Sequence, residues 1–186
     1  MRTGILKNGV LFLLLCLFAC EPKPEKPVTV IPPWEAYDES AELAENAEHE
    51  SQRMRYKLIQ SKVSDKNDIW KNIADQIAYF SEQDYQDLKP LILEQNILTL
   101  QSHITSGDLS YEKLTQWYLY RIAKYENDKD TYLNAIISIN PNAVAEAKKR
   151  DEAHSTNNHP IFGMPILLKD NINFAQLPTT SVSVAL

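Results

Sequence analysis

The residue of this sequence best placed to do chemistry is Lys169. It ends an apolar run, Ile161-Phe162-Gly163-Met164-Pro165-Ile166-Leu167-Leu168, and is followed directly by Asp170-Asn171. A lysine desolvated by Ile166, Leu167 and Leu168 would have its ammonium form disfavoured, which is how a lysine becomes a base near neutral pH. Strand ends are also where α/β folds place their sites. From spacing alone, a plain surface lysine after a strand is the commoner arrangement. Ser181 and Ser183 lie close by in sequence, but they lack the glycine neighbours of an activated nucleophile. His49, His103, His154 and His159 show neither metal-ligand spacing nor a paired acid, which speaks against a metal site or a Ser-His-Asp enzyme. No dinucleotide or phosphate loop is present, and no cofactor is expected.

Elements must position that lysine. Residues 132–139, Tyr-Leu-Asn-Ala-Ile-Ile-Ser-Ile, are short and β-branched and read as a strand. Asn140-Pro141 supplies N-cap and first-turn residues for a helix to about Glu152. The run 161–168 reads as a second buried strand, so 132–168 forms a βαβ unit with parallel pairing and Lys169 just beyond the strand end. Upstream, Ser110 caps a helix whose inner face is Leu114, Trp117, Tyr118, the stem of Arg121, Ile122 and Tyr125. Residues 95–104 form a packed segment through Ile97, Leu98, Leu100 and Ile104, closed by Ser106-Gly107-Asp108. Ser81 with Asp84 three residues on marks another helix start, which Pro90 kinks or restarts. Ile69, Ile73, Ile77 and Phe80, with Trp70 beside them, form one more apolar stripe. Residues 35–52 are acidic without a Lys or Arg, as in a solvated helix or a disordered stretch.

The N-terminus reads as an address. Arg2 and Lys7 precede an apolar stretch, residues 10–19, that is too short to span a bilayer permanently, as a signal peptide would be. Its ending Leu17-Phe18-Ala19-Cys20 resembles the bacterial lipobox, which implies that Cys20 is lipidated and becomes the mature N-terminus. The alternative is an ordinary secretory signal with an incidental Cys20. A multiply acylated cysteine carries enough buried methylenes for stable anchoring. Residues 20–34 hold five of the ten prolines and read as a semi-rigid tether. The boundaries are therefore a signal peptide at 1–19, the lipidated cysteine and tether at 20–34, a helical extension at 35–96 and the chemistry-bearing part at 97–186. The resulting location is the bacterial envelope, exported and lipid-anchored.

Composition fits this reading. The 186 residues are 44% hydrophobic and 24% charged, ordinary for a folded domain. A net charge of -6 argues against a nucleic-acid partner. Cys16 and Cys20 are the only cysteines, so the body has neither a disulfide nor a thiol nucleophile. Four glycines are few for a domain that builds an oxyanion site from backbone N–H groups.

The segment 97–186 resembles the start of the amidase-signature domain. The features that carry the likeness run in order: Leu109-Ser110-Tyr111-Glu112-Lys113-Leu114; Leu133-Asn134-Ala135-Ile136; Asn140-Pro141-Asn142-Ala143; Gly163-Met164-Pro165-Ile166-Leu167-Leu168-Lys169-Asp170-Asn171; and Pro178-Thr179-Thr180. The resemblance implies an α/β architecture, the beginning of a mixed sheet covered by helices. It also implies hydrolysis of carbon–nitrogen bonds in small-molecule amides by a Ser-cisSer-Lys triad, in which Lys169 takes the base role. A relay serine passes the proton, a second serine attacks the carbonyl, and backbone N–H groups of a Gly/Ser-rich loop hold the oxyanion. Those serines lie downstream of the matched motifs in the family, so the expectation is a truncated domain, inactive by itself and poorly soluble. Val182 stands where the family usually has glycine. A different class remains open: a non-catalytic, membrane-anchored lipoprotein that binds a partner, or a decayed gene product.

Overall fold

The computed structural model describes residues 28–57, 65–153 and 159–181. The signal peptide, Cys16 and Cys20, along with His154, Val182 and Ser183, lie outside them. Six α-helices carry the described part: α1 (Ser40–Glu45), α2 (Asn67–Ile77), α3 (Glu82–Ile92), α4 (Ile97–Ser106), α5 (Tyr111–Glu126) and α6 (Ala143–Glu152).

The helix starts follow local chemistry. Ser81 and Asp84 form a full capping box at α3, Asn96 accepts the Thr99 N–H at α4, and Ser110 accepts the Lys113 N–H at α5. Gly107 ends α4 at φ 86, a left-handed conformation that glycine adopts without steric cost. Pro90 does not restart α3, which runs through it to Ile92.

Helix α5 is the hub and packs on α2, α3 and α6. The apolar stripe of α2, Ile69, Ile73 and Ile77 with Trp70, is buried against it as the 3.6-residue period requires, and Phe80 is buried just beyond. On α5 the buried set is Tyr111, Leu114, Thr115, Trp117, Leu119, Ala123 and Glu126. The expected inner face is thus rotated in part. Tyr118 and Ile122 are only partly buried against the core, while Tyr125 is exposed. A helix packed on three sides buries more than one stripe. On α4 only Leu100 is buried, and Ile97 and Leu98 face outward. At the edge of the bundle, hydrogen bonds from Lys124, Gln86 and Tyr120 hold the Glu82 carboxyl down at about 2, well below the carboxylate range.

The stretch read as a tether is docked on the body from Val28 onward. Thr29 donates its N–H to Ala78 O at 2.7 Å and its hydroxyl to Phe80 O at 2.7 Å. Trp34 and Asn67 exchange two bonds of 2.8 and 3.0 Å, and Asn127 donates to Pro32 O at 2.7 Å. Ile31 and Trp34 pack against the core, and this apolar surface is what draws residues 28–34 down.

The expected parallel strands are absent among the described residues. Neither 132–139 nor 161–168 forms a ladder, and the one bridge among the described residues, antiparallel, joins Phe174 and Leu177. Three residues break the pleat. Asn134 sits at φ 56 and Gly163 at φ 71, and Pro165 has no N–H to give to a neighbouring strand. Residues 133 and 135 instead turn their N–H groups onto a side chain, the Glu126 carboxylate, at 3.1 Å each. The α/β expectation is therefore met only in part: the described residues are helical, and the sheet is not seen among them. No described helix is long and apolar enough to cross a membrane.

Candidate active site

Lys169 lies at the start of a tight turn, its carbonyl accepting the Ile172 N–H at 2.9 Å. Its side chain is exposed and makes no hydrogen bond or ion pair among the described residues. Ile166 and Leu167, expected to desolvate it, are themselves 68% and 73% exposed. The strand that would have buried them is not formed, so the predicted desolvation is not present here.

The adjoining motif residues do come together. Asp170 accepts the Thr180 N–H through Oδ1 at 3.1 Å and the Thr180 hydroxyl through Oδ2 at 2.6 Å. This bidentate clamp closes a loop of nine residues, 171–179, and the Phe174–Leu177 bridge braces its tip. Thr179 Oγ1 lies 3.3 Å from Asn173 Oδ1. Lys169-Asp170-Asn171 and Pro178-Thr179-Thr180, separate in sequence, thus form one unit. Ser181 follows at φ 50, a left-handed conformation that costs a β-carbon residue energy. Upstream, the segment is anchored at Gly163, which packs against the Tyr111 ring.

Two shallow cavities, of about 260 and 330 Å³, lie along α2, α3, α5 and α6, and neither is lined by Lys169. Among the described residues no three His, Cys, Asp or Glu side chains gather as metal ligands. His49 and His159 instead accept backbone N–H groups two residues ahead of them.

Sequence reasoning missed three structural anchors of this region. Gln101 and Tyr111 hold the Gly163 turn. Lys66 and Glu126 form a buried ion pair at 3.7 Å, with the ammonium 5.1 Å from the Tyr132 ring centre. A polar residue within an amphipathic helix carries no sequence mark of such a role. Only the serial order of the motifs pointed toward this part of the chain.

Comparison with known proteins agrees with the motifs. The amidase family model matches residues 113–186. The chain is 36% identical over 92 residues to a glutamyl-tRNA(Gln) amidotransferase subunit of Lysinibacillus sphaericus (strain C3-41), half of this chain and 18% of that protein. It is 38% identical over 84 residues to the corresponding subunit from Lawsonia intracellularis (strain PHE/MN1-00), covering 45% of this chain and 16% of that protein. In three dimensions it resembles an amidase family protein from Bacillus anthracis str. Ames, with a TM-score of 0.58 and 34% identity over 64% of this chain and 24% of that one. The chain therefore spans less than a fifth of the length of these curated relatives. With the motif order, the matched segment and the structural likeness in agreement, residues 113–186 are a fragment of an amidase-family domain.

Proposed function

We propose that this chain is the lysine-bearing part of an amidohydrolase held at the bacterial envelope, with Lys169 as the base of a Ser-cisSer-Lys triad. The observation that carries the reading is the Asp170–Thr180 clamp, which joins the two motif pieces inside the segment matched by the amidase family. In the reaction, the Lys169 amine takes a proton from a relay serine, which takes one from the attacking serine. The serine oxygen adds to the amide carbonyl, the amine leaves with a proton returned along the same relay, and water then hydrolyses the ester. Within these 186 residues Lys169 has no such pair of serines in a glycine-rich setting, and it is open to solvent. The 186-residue chain by itself is therefore expected to show no turnover of simple aliphatic or aromatic amides above background. To test the base, the part of this chain that matches the Bacillus anthracis protein, Lys169 included, replaces the matching quarter of that protein. Lys169→Ala is expected to cut amide turnover of that chimera by about a thousandfold or more, because triad members act as a unit. An alanine variant as active as its parent chimera overturns the role.

The names of the curated relatives support a second reading, in which the amide nitrogen is transferred to another acceptor instead of being released. The exposed Lys169 supports a third, a non-catalytic lipoprotein with a binding role. A chimera that hydrolyses amides through Lys169 disfavours the third.

The anchor rests on Leu17-Phe18-Ala19-Cys20. Intact mass of membrane-extracted protein is expected to show a mature chain beginning at Cys20 with added acyl mass, and Cys20→Ser is expected to release the body from the membrane fraction. A soluble product retaining Ala19 excludes lipidation.

A further inference from the structure

We propose that Gln101, on α4 and outside the segment matched by the amidase family, is the positioning residue that sets the path of the chain leading to Lys169. The inference rests on the reading of Lys169 as the base. The Gln101 carboxamide is fully engaged: Nε2 donates to Pro160 O and to Phe162 O, each at 2.9 Å, and Oε1 accepts the Tyr111 hydroxyl at 2.8 Å. The opposite amide orientation would set Oε1 against two carbonyl oxygens, so the direction of the bonds is fixed by chemistry. One side chain thus grips both carbonyls flanking Ile161, where the chain bends through Phe162 N–H to His159 O at 2.9 Å and Met164 N–H to Ile161 O at 3.2 Å.

Tyr111 makes the grip directional. Its ring lies so close to Gly163 that a β-carbon there would sit 2.6 Å from ring carbons, and Gly163 also has φ 71. Both the space and the backbone angle demand glycine. Phe162 meets the same ring edge-on at 5.8 Å between centres, with the Arg150 guanidinium 5.7 Å from the Phe162 ring. Tyr111 cannot drift, because Asp151 of α6 accepts its N–H at 2.8 Å and that of Glu112 at 2.9 Å. Burial holds the Tyr111 phenol above its ordinary range, which keeps it a donor. Helices α4, α5 and α6 therefore converge on one turn, six residues before Lys169, and the Asp170–Thr180 clamp fixes the other side.

The test is amide hydrogen exchange on the full chain, read at Phe162 and Met164. In Gln101→Leu both amides are expected to exchange at least tenfold faster, while α6 amides stay within about twofold of wild type. Gln101→Glu is expected to match the leucine variant near neutral pH, where a carboxylate can only accept. Below the ordinary glutamate range of about 4.3 it should regain protection, because the protonated acid donates one O–H. A purely packing role would not produce that pH profile. Unchanged exchange in the leucine variant, equal loss across all helices, or a glutamate variant indifferent to pH overturns the proposal. Exchange reports the path of the chain and not turnover, so a failed base role at Lys169 shows only in the chimera assay.

Discussion

Glu126→Ala is expected to lower the free energy of unfolding by about 3–5 kcal/mol, read from urea or guanidinium titration. Glu126 and Lys66 are both buried, and the Lys66 ammonium has no hydrogen-bond partner among the described residues beside its ion pair at 3.7 Å. Removing the carboxylate strands that charge in a low-dielectric interior and frees the N–H groups of Leu133 and Ala135. The double variant Lys66→Met, Glu126→Ala is expected to be more stable than Glu126→Ala alone, because no charge is left orphaned. Exchange should also accelerate at residues 133–135 before it does in α2. A loss below about 1 kcal/mol for the single variant would mean that the pair is solvated, since exposed pairs contribute no more than that.

Trp117→Ala is expected to cost a similar amount, about 3–5 kcal/mol, by leaving a cavity at the centre of the bundle. Trp117 is 1% exposed and stacks on Tyr85 with ring centres 4.9 Å apart and planes at 13°. Its Nε1–H donates to Tyr85 O at 3.0 Å, and the Arg121 guanidinium lies 5.6 Å from its ring. Because one ring ties α5 to α3, alanine removes packing, stacking and a hydrogen bond together. Trp117→Phe restores most of the ring and loses only the donor, so it should cost about 1–3 kcal/mol. With a total stability of about 5–15 kcal/mol usual for a domain, the alanine variant is expected to sit near its unfolding threshold at 37 °C. Equal losses for phenylalanine and alanine would place the energy in the hydrogen bond instead of the ring.

The helix starts at Ser81 and Ser110, the stop at Gly107 and the stripe of α2 were legible in the sequence because each is a local matter. A side-chain oxygen within three residues of an orphan N–H, or an apolar side chain every 3.6 residues, needs no distant partner. The family was legible for a related reason. Motif order survives in one dimension, and Gly163 through Asn171 followed by Pro178-Thr179-Thr180 carries it.

The tertiary structure decided what depends on non-local partners. Residues 132–139 and 161–168 have strand composition, but a strand is made by its neighbour. Asn134 and Gly163 are left-handed, no ladder forms at either segment, and Ile166 and Leu167 stay in solvent. Trp34, placed by composition in a tether, has apolar surface to bury and found Asn67. Lys66 and Glu126, two charges sixty residues apart, became a buried pair only because α5 brings its end against the start of α2. Sequence by itself determined which residues could cap, turn and carry chemistry, since those choices are made within a few bonds. Burial, and with it the grip of Gln101 on the chain that leads to Lys169, was decided only when distant segments met, because it is contact that sets the cost of an unpaired group.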